Sequence, residues 1–118
     1  MDFHVELDKT IKAFTGLLGI IFVDPDGESI LYEAPSVDSF DLRLTGAKMP
    51  ILMQSYKDMG LHHKPVAMEI SFDRHYLIYV HLEESYSIAA IGTSAKERDR
   101  LRKYIEGLAV KFNQDIVL

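Results

Sequence analysis

The first third of the chain predicts a helix followed by a β-hairpin. Four apolar residues recur at helical spacing within residues 2–15, namely Phe3, Leu7, Ile11 and Phe14. Gly16 follows at the position where a left-handed helix cap is expected. Residues 17–23 are apolar on both faces and too few for another helix, which predicts a buried strand. Asp24-Pro25-Asp26-Gly27 is typical of a tight turn, so we expect residues 28–34 to return as the second strand.

Residues 38–60 predict a longer second helix, although Pro50 stands inside it. Proline removes one helical hydrogen bond, and its ring clashes with the carbonyl four residues earlier. We therefore expect either a kink within residues 46–50 or a helix that starts near Ala47. Gly60 is expected to cap this helix at its end.

The second half of the chain predicts three more strands and a last helix. Residues 64–72 alternate between an apolar face (Val66, Met68, Ile70, Phe72) and a more polar face (Ala67, Glu69, Ser71). Short turns at 73–74 and 83–85 can join only antiparallel neighbours, so residues 76–82 and 86–92 complete a meander. Ser94 and Glu97 have the spacing of a capping box before the last helix. The sequence thus predicts an α+β fold, ordered α-β-β-α-β-β-β-α, with one five-stranded antiparallel sheet and helices packed on it.

The second predicted helix carries apolar residues on two faces. At 100° per residue, one broad face holds Leu44, Ala47, Ile51, Leu52, Ser55 and Met59. A second stripe holds Leu42, Met49, Met53 and Tyr56, and a polar wedge between them holds Arg43, Gln54 and Lys57. One apolar face suffices to cover the sheet, so we expect the second stripe to be a contact surface. The alternative is a helix buried more deeply in its own core.

Composition and charge narrow the class of protein. The chain has 118 residues with a net charge of −5, and we interpret it as a single domain over residues 1–118 that does not bind nucleic acid. It contains no cysteine, which suits a reducing cytoplasmic location. Its longest apolar run has seven residues, so we expect no membrane insertion.

Motifs of catalysis or cofactor binding are not recognisable in the sequence. The phosphate-binding and dinucleotide-binding glycine patterns and the nucleophile elbow are all missing. The five histidines do not form a set with metal-ligand spacing. We therefore expect a protein that is not an enzyme and has no catalytic residue, cofactor or metal site of its own.

The order of elements resembles the Roadblock (dynein light chain) family, which includes MglB-like regulators of small GTPases. The segment Gly19-Ile20-Ile21-Phe22-Val23-Asp24-Pro25-Asp26-Gly27 fits the hairpin pattern of that family. The resemblance extends over residues 7–112 and includes the long second helix, the meander and the final helix. Pro50 departs from the smooth second helix that is usual in the family.

The resemblance implies a homodimer that binds a small Ras-like GTPase. Members usually pair their third strands into a ten-stranded sheet, with both second helices side by side on one face. MglB-like homodimers accelerate GTP hydrolysis without donating a catalytic arginine. Mapped onto this sequence, the dimer interface comprises Val66, Ala67, Met68, Glu69, Ile70, Ser71 and Phe72 with Met49, Met53 and Tyr56. The GTPase-docking residues are Arg43, Gln54 and Lys57.

Two observations from the residues favour the same assembly. Residues 66–72 of the predicted third strand contain no proline or bulge signal, and an unprotected edge of that kind invites pairing. The second apolar stripe invites the same partner, and both features favour a C2 dimer. The alternative function is a PAS-like or profilin-like sensory or ligand-binding module, which requires an interior cavity with converging polar groups.

Overall fold

The computed structural model describes residues 1–60 and 66–116, and its elements follow the predicted order. The helices are α1 (Phe3–Ala13), α2 (Ser39–Asp58) and α3 (Arg98–Ile116). The strands are β1 (Leu17–Val23), β2 (Ser29–Glu33), β3 (Ala67–Ser71), β4 (Tyr76–His81) and β5 (Ser87–Gly92). The predicted third strand began at Lys64, but Lys64 and Pro65 lie outside the described residues.

All five strands form one antiparallel sheet in the order β2-β1-β5-β4-β3. Helices α1 and α3 cover one face of this sheet, and α2 covers the other. The predicted α+β architecture is confirmed. The strand order places β3 at one end of the sheet, where β4 is its one hydrogen-bonded neighbour among the described strands.

Each face of the sheet has its own apolar core. The core beneath α1 and α3 is built around aromatic contacts, in which the ring of Phe22 lies 5.0 Å from that of Phe112 and 5.2 Å from that of Phe3. The core beneath α2 joins Leu42, Met49 and Met53 to side chains of β1, β4 and β5. Burial of apolar surface against a central sheet therefore holds both layers in place.

The structure corrects two predictions about the ends of helices. Gly16 does not have a positive φ, and Phe14 ends α1 in an extended conformation, so the left-handed cap at Gly16 is wrong. The capping box of Ser94 and Glu97 is also not formed, because the Glu97 carboxylate instead accepts a hydrogen bond of 2.8 Å from the Gly16 amide. A side chain at Gly16 would place its Cβ within 2.7 Å of the Ser94 Cβ, so glycine permits this close approach.

Helix α2 is one helix with Pro50 inside it, and the alternative start near Ala47 is wrong. The Asp38 carboxylate caps its first turn by accepting hydrogen bonds from the amides of Phe40 (2.9 Å) and Asp41 (3.1 Å). Gly60 has a φ of +72°, as expected for the residue that terminates this helix, and its amide donates to the Lys57 carbonyl.

The prediction of which α2 face is exposed is wrong. Met49 and Met53, assigned to the contact stripe and hence to the dimer interface, are 2% and 4% exposed and pack on the sheet within one chain. Leu42 is buried with them, and Tyr56 at the margin of the stripe is half-buried. The face expected to cover the sheet points to solvent instead. The helix does have two apolar faces, but their roles are exchanged.

No helix within residues 1–60 and 66–116 combines the length and the apolar character that crossing a bilayer requires.

Candidate interaction surface

The outer face of α2 is apolar and open to solvent. Five large apolar side chains expose between 40% and 71% of their surface there, namely Phe40, Leu44, Ile51, Leu52 and Met59. Their separations of four, seven and eight residues place them on one helix face. We call these five residues the α2 stripe. Lys48 and Ser55 are exposed between members of this stripe. Even so, several exposed apolar side chains on one helix face of a small domain are typical of a surface that contacts another molecule.

The three predicted docking residues lie together along one flank of α2, and all three are exposed. The Arg43 guanidinium lies 5.9 Å from the centre of the Tyr32 ring on β2. The Gln54 amide donates a 2.9 Å hydrogen bond to the Asp58 carboxylate. Lys57 borders a groove between α2 and the 3₁₀ turn at Glu83–Ser85. The flank is therefore a polar border, with two cations, beside the α2 stripe.

The backbone of β3 offers a regular set of hydrogen-bonding groups to a further strand. The His81 amide donates to the Val66 carbonyl (3.0 Å), and the Phe72 amide donates to the His75 carbonyl (2.8 Å). In an antiparallel ladder these contacts alternate, so the even-numbered residues of β3 face β4. The N–H and C=O groups of Ala67, Glu69 and Ser71 consequently point away from the sheet.

The side chains of β3 divide as predicted between the two faces of the sheet. Met68 and Ile70 pack beside the α2 core, whereas Ala67 packs beside the core of α1 and α3. Val66 and Phe72 flank the strand and are 66% and 51% exposed. An apolar row thus follows the free edge on the same side as α2.

A cluster of charged side chains joins β3 to α3 on the opposite side of the sheet. The Glu69 carboxylate forms ion pairs with Arg102, whose Nε lies 2.8 Å away, and with Arg98, whose Nε lies 3.8 Å away. Arg98 also donates to the Ser71 hydroxyl at 3.2 Å, and Arg102 donates to Glu106 at 3.1 Å. Hydrogen bonding to Glu106 raises the pKa of the Arg102 guanidinium, which keeps this residue charged. We call these five residues the edge cluster.

The edge cluster was not identified in the sequence, although its signal was present. Arg98 and Arg102 are four residues apart and therefore share one face of α3. Glu69 stands on the polar face of an alternating strand. What the sequence could not provide was the strand order, which brings β3 beneath the first turns of α3.

Among residues 1–60 and 66–116, no three His, Asp or Glu side chains are grouped so that they could hold a metal ion. The cavities bordered by described residues include a groove of about 480 Å³ between the Gly27 turn and the first half of α2. This groove opens to solvent and is lined by Phe40, Arg43 and Leu44, so it belongs to the outer surface of α2.

Comparisons of the sequence alone do not place the chain in a group. No family model matches it, and no curated protein matches it. Comparison of the fold with solved structures gives a different result.

Several solved structures have the same fold over nearly the whole chain. A Roadblock/LC7 domain from Streptomyces avermitilis superposes with a TM-score of 0.85 at 10% identity, covering 100% of both chains. Myxococcus xanthus MglB superposes with a TM-score of 0.74 at 15% identity, covering 96% of this chain and 93% of MglB. MglC from the same organism gives a TM-score of 0.67 at 13% identity, covering 98% and 99%. The fold that the resemblance implied is therefore confirmed, and this chain has the Roadblock/LC7 fold.

Proposed function

We propose that this chain is a non-enzymatic regulatory or scaffold protein that forms a homodimer and binds a small Ras-like GTPase. In the dimer, β3 pairs with the β3 strand of a second copy, and the two α2 helices lie on the same side of the extended sheet. The α2 stripe and the flank of Arg43, Gln54 and Lys57 then form a continuous face for the GTPase.

The proposal rests chiefly on the combination of a free strand edge with an exposed apolar helix face. The outward groups of β3 can be satisfied by an identical strand running antiparallel, so a second copy is a chemically suitable occupant. Val66 and Phe72 extend the apolar surface at the edge itself. Among proteins of the same fold, a solved structure titled "MglB with tetrameric arrangement" superposes with a TM-score of 0.70 at 11% identity.

Dimerisation can be tested by removing one outward-facing amide from β3. We expect Ala67→Pro to weaken self-association, because its N–H points away from β4 and proline at an edge blocks pairing with another strand. Light scattering should show a wild-type dimer of twice 13.4 kDa and a monomeric variant with an unchanged circular dichroism spectrum.

The matched control is Met68→Pro, which removes an amide that points towards β4. This substitution should instead destabilise the monomer fold by about 3 kcal/mol or more, as expected for proline within a hydrogen-bonded ladder. A wild-type chain that remains monomeric at tens of micromolar would refute the dimer.

Binding of a GTPase can be tested on the α2 surface. The probes are the small Ras-like GTPases of the source genome, each loaded in turn with GDP and with a non-hydrolysable GTP analogue. We expect Leu44→Glu to reduce affinity by at least about tenfold, since it places an uncompensated charge in the apolar contact. Val110→Glu is the control and should leave the affinity unchanged, because Val110 is an apolar residue on α3 that is at least as exposed as Leu44, at 58% against 45%.

A further inference from the structure

We infer that Glu69 lies on the two-fold axis of the dimer and that Arg98 and Arg102 permit this placement by neutralising its carboxylate. This inference rests on the proposed pairing of β3 strands, and it specifies the register of that pairing. It follows from the direction of the backbone groups, from the exposed apolar side chains and from the edge cluster.

The outward backbone groups favour one register. Two symmetric β3 strands can be centred on Met68, on Glu69 or on Ile70 while their outward residues remain opposite one another. Centring on Glu69 joins Ala67 to the partner's Ser71, Glu69 to the partner's Glu69, and Ser71 to the partner's Ala67. In this register every outward N–H and C=O group of β3 has a hydrogen-bonding partner. If the strands are centred on Met68 or on Ile70, one outward residue of each copy lies beyond the end of the opposite β3.

The exposed apolar residues favour the same register independently. When Glu69 is central, Val66 of each copy stands opposite the partner's Phe72 on the α2 side of the sheet. These are the two exposed apolar residues at the edge, at 66% and 51% exposure. A centre at Met68 places Val66 opposite the partner's Ile70, and a centre at Ile70 places Val66 opposite the partner's Arg74, so neither pairs these two exposed residues with each other. The pairing of Val66 with Phe72 covers apolar surface that the monomer leaves in water.

This register brings two carboxylates face to face, which is unfavourable by itself. Residues directly opposite in an antiparallel pair have Cβ atoms about 5 Å apart, and like charges at that distance destabilise the pair. Each Glu69, however, already forms ion pairs within its own chain, with Arg102 at 2.8 Å and with Arg98 at 3.8 Å. The arginines of α3 are thus positioning residues for the dimer, because they cancel the repulsion at the two-fold axis.

The register can be measured by cross-linking, since the chain has no cysteine of its own. Hydrogen-bonded pairs have Cα atoms about 5.5 Å apart, within the range that a disulfide spans, whereas diagonal neighbours lie about 7–8 Å apart. Under mild oxidation, Ala67→Cys combined with Ser71→Cys should give a covalent dimer. Met68→Cys and Ile70→Cys, each alone, should not. Self-cross-linking of either single variant would place the two-fold axis elsewhere and overturn the inference.

The role of the arginines can be measured by a cycle of substitutions in full-length protein. Arg98→Gln with Arg102→Gln should raise the dimer dissociation constant on the order of tenfold, because each of two copies loses ion pairs that contribute up to about fivefold. Adding Glu69→Gln should restore it to within about twofold of wild type. Arg100→Gln, on α3 beside Phe14 and paired with Glu97, is the matched control and should change nothing.

The outcomes separate this inference from the dimer itself. If the wild type is dimeric but the arginine substitutions do not change the dimer dissociation constant, or Glu69→Gln does not restore it, the role of the edge cluster is refuted and the dimer is not. A wild type that is monomeric by sedimentation refutes both.

Discussion

At the scale of the residue, glycine is required where the backbone has positive φ or where two segments approach closely. Gly27 meets both conditions, since its φ is +84° and an added Cβ would lie 3.1 Å from the backbone of Ala47 in α2. The Asp24 carboxylate fixes the same turn by accepting hydrogen bonds of 2.9 Å from the amides of Asp26 and Glu28. This turn therefore supports the first half of α2 as well as the hairpin.

Gly27→Ala should destabilise the fold by about 1–3 kcal/mol, through left-handed strain and crowding against α2. Gly107→Ala provides a contrast, because nothing lies within 4 Å of an added Cβ and the position is inside α3. There the change should stabilise by up to about 1 kcal/mol, since alanine is the better helix former. Urea denaturation of both variants measures the difference, and equal shifts would contradict it.

Two buried tyrosines are expected to make the free energy of unfolding depend on pH in the alkaline range. Burial raises the pKa of both Tyr76 and Tyr79 above the ordinary value of 10. The folded state therefore holds these phenolic protons more tightly than the unfolded state. Their contribution is complete below pH 10 and is lost as the pH rises through and above that value.

We expect the free energy of unfolding to fall above pH 10 by at most about 1.4 kcal/mol per pH unit for each tyrosine. Tyr79→Phe should reduce this slope, because the variant has no phenol to ionise at that position. Denaturant unfolding from pH 8 to pH 11 measures the slope, and an unchanged slope in the variant would show that Tyr79 is not responsible.

At the scale of the element, periodicity and turn chemistry in the sequence predicted every helix and strand, but not the orientation of α2. Its two faces are about equally apolar, so hydrophobic periodicity could not decide which one covers the sheet. The residue that could have decided the orientation is Gly46, which lies on the same face as Leu42 and Met53. An added Cβ at Gly46 would lie 3.0 Å from the side chain of Val23, so the glycine marks the side that approaches β1.

Because the two faces of α2 are exchanged, we expect truncation of a side chain to destabilise the fold on the sheet-facing side and to have little effect on the outer side. Met49→Ala should reduce the free energy of unfolding by about 2–5 kcal/mol, as expected when a buried side chain leaves a cavity. Ile51→Ala, at a residue that is 58% exposed, should change the stability of a monomeric background by less than about 0.5 kcal/mol. Thermal and urea unfolding in the Ala67→Pro background removes the contribution of dimerisation. A larger effect for Ile51 would restore the original assignment of faces.

At the scale of the whole molecule, the sheet has a polar and an apolar side at the same free edge. The edge cluster lies on the α3 side, and the row from Val66 to Phe72 lies on the α2 side. The alternating sequence of β3 predicted this division. It could not predict that α3 crosses beneath the strand, because that depends on a contact between segments separated by about thirty residues. The two sides of the proposed dimer edge therefore differ in chemistry, with charged side chains on one and apolar side chains on the other.

A substitution in the proposed docking flank distinguishes two mechanisms by which the proposed dimer would stimulate GTP hydrolysis by a GTPase. If this protein acts by ordering the switch loops of the GTPase, Arg43 contributes to binding and not to the chemical step. Arg43→Ala should then raise the concentration of this protein needed for half-maximal stimulation while leaving the maximal hydrolysis rate within about twofold of wild type. Single-turnover GTP hydrolysis with increasing amounts of each variant measures both quantities. A loss of the maximal rate on the order of a thousandfold at saturation would instead identify Arg43 as an arginine supplied to the GTPase active site.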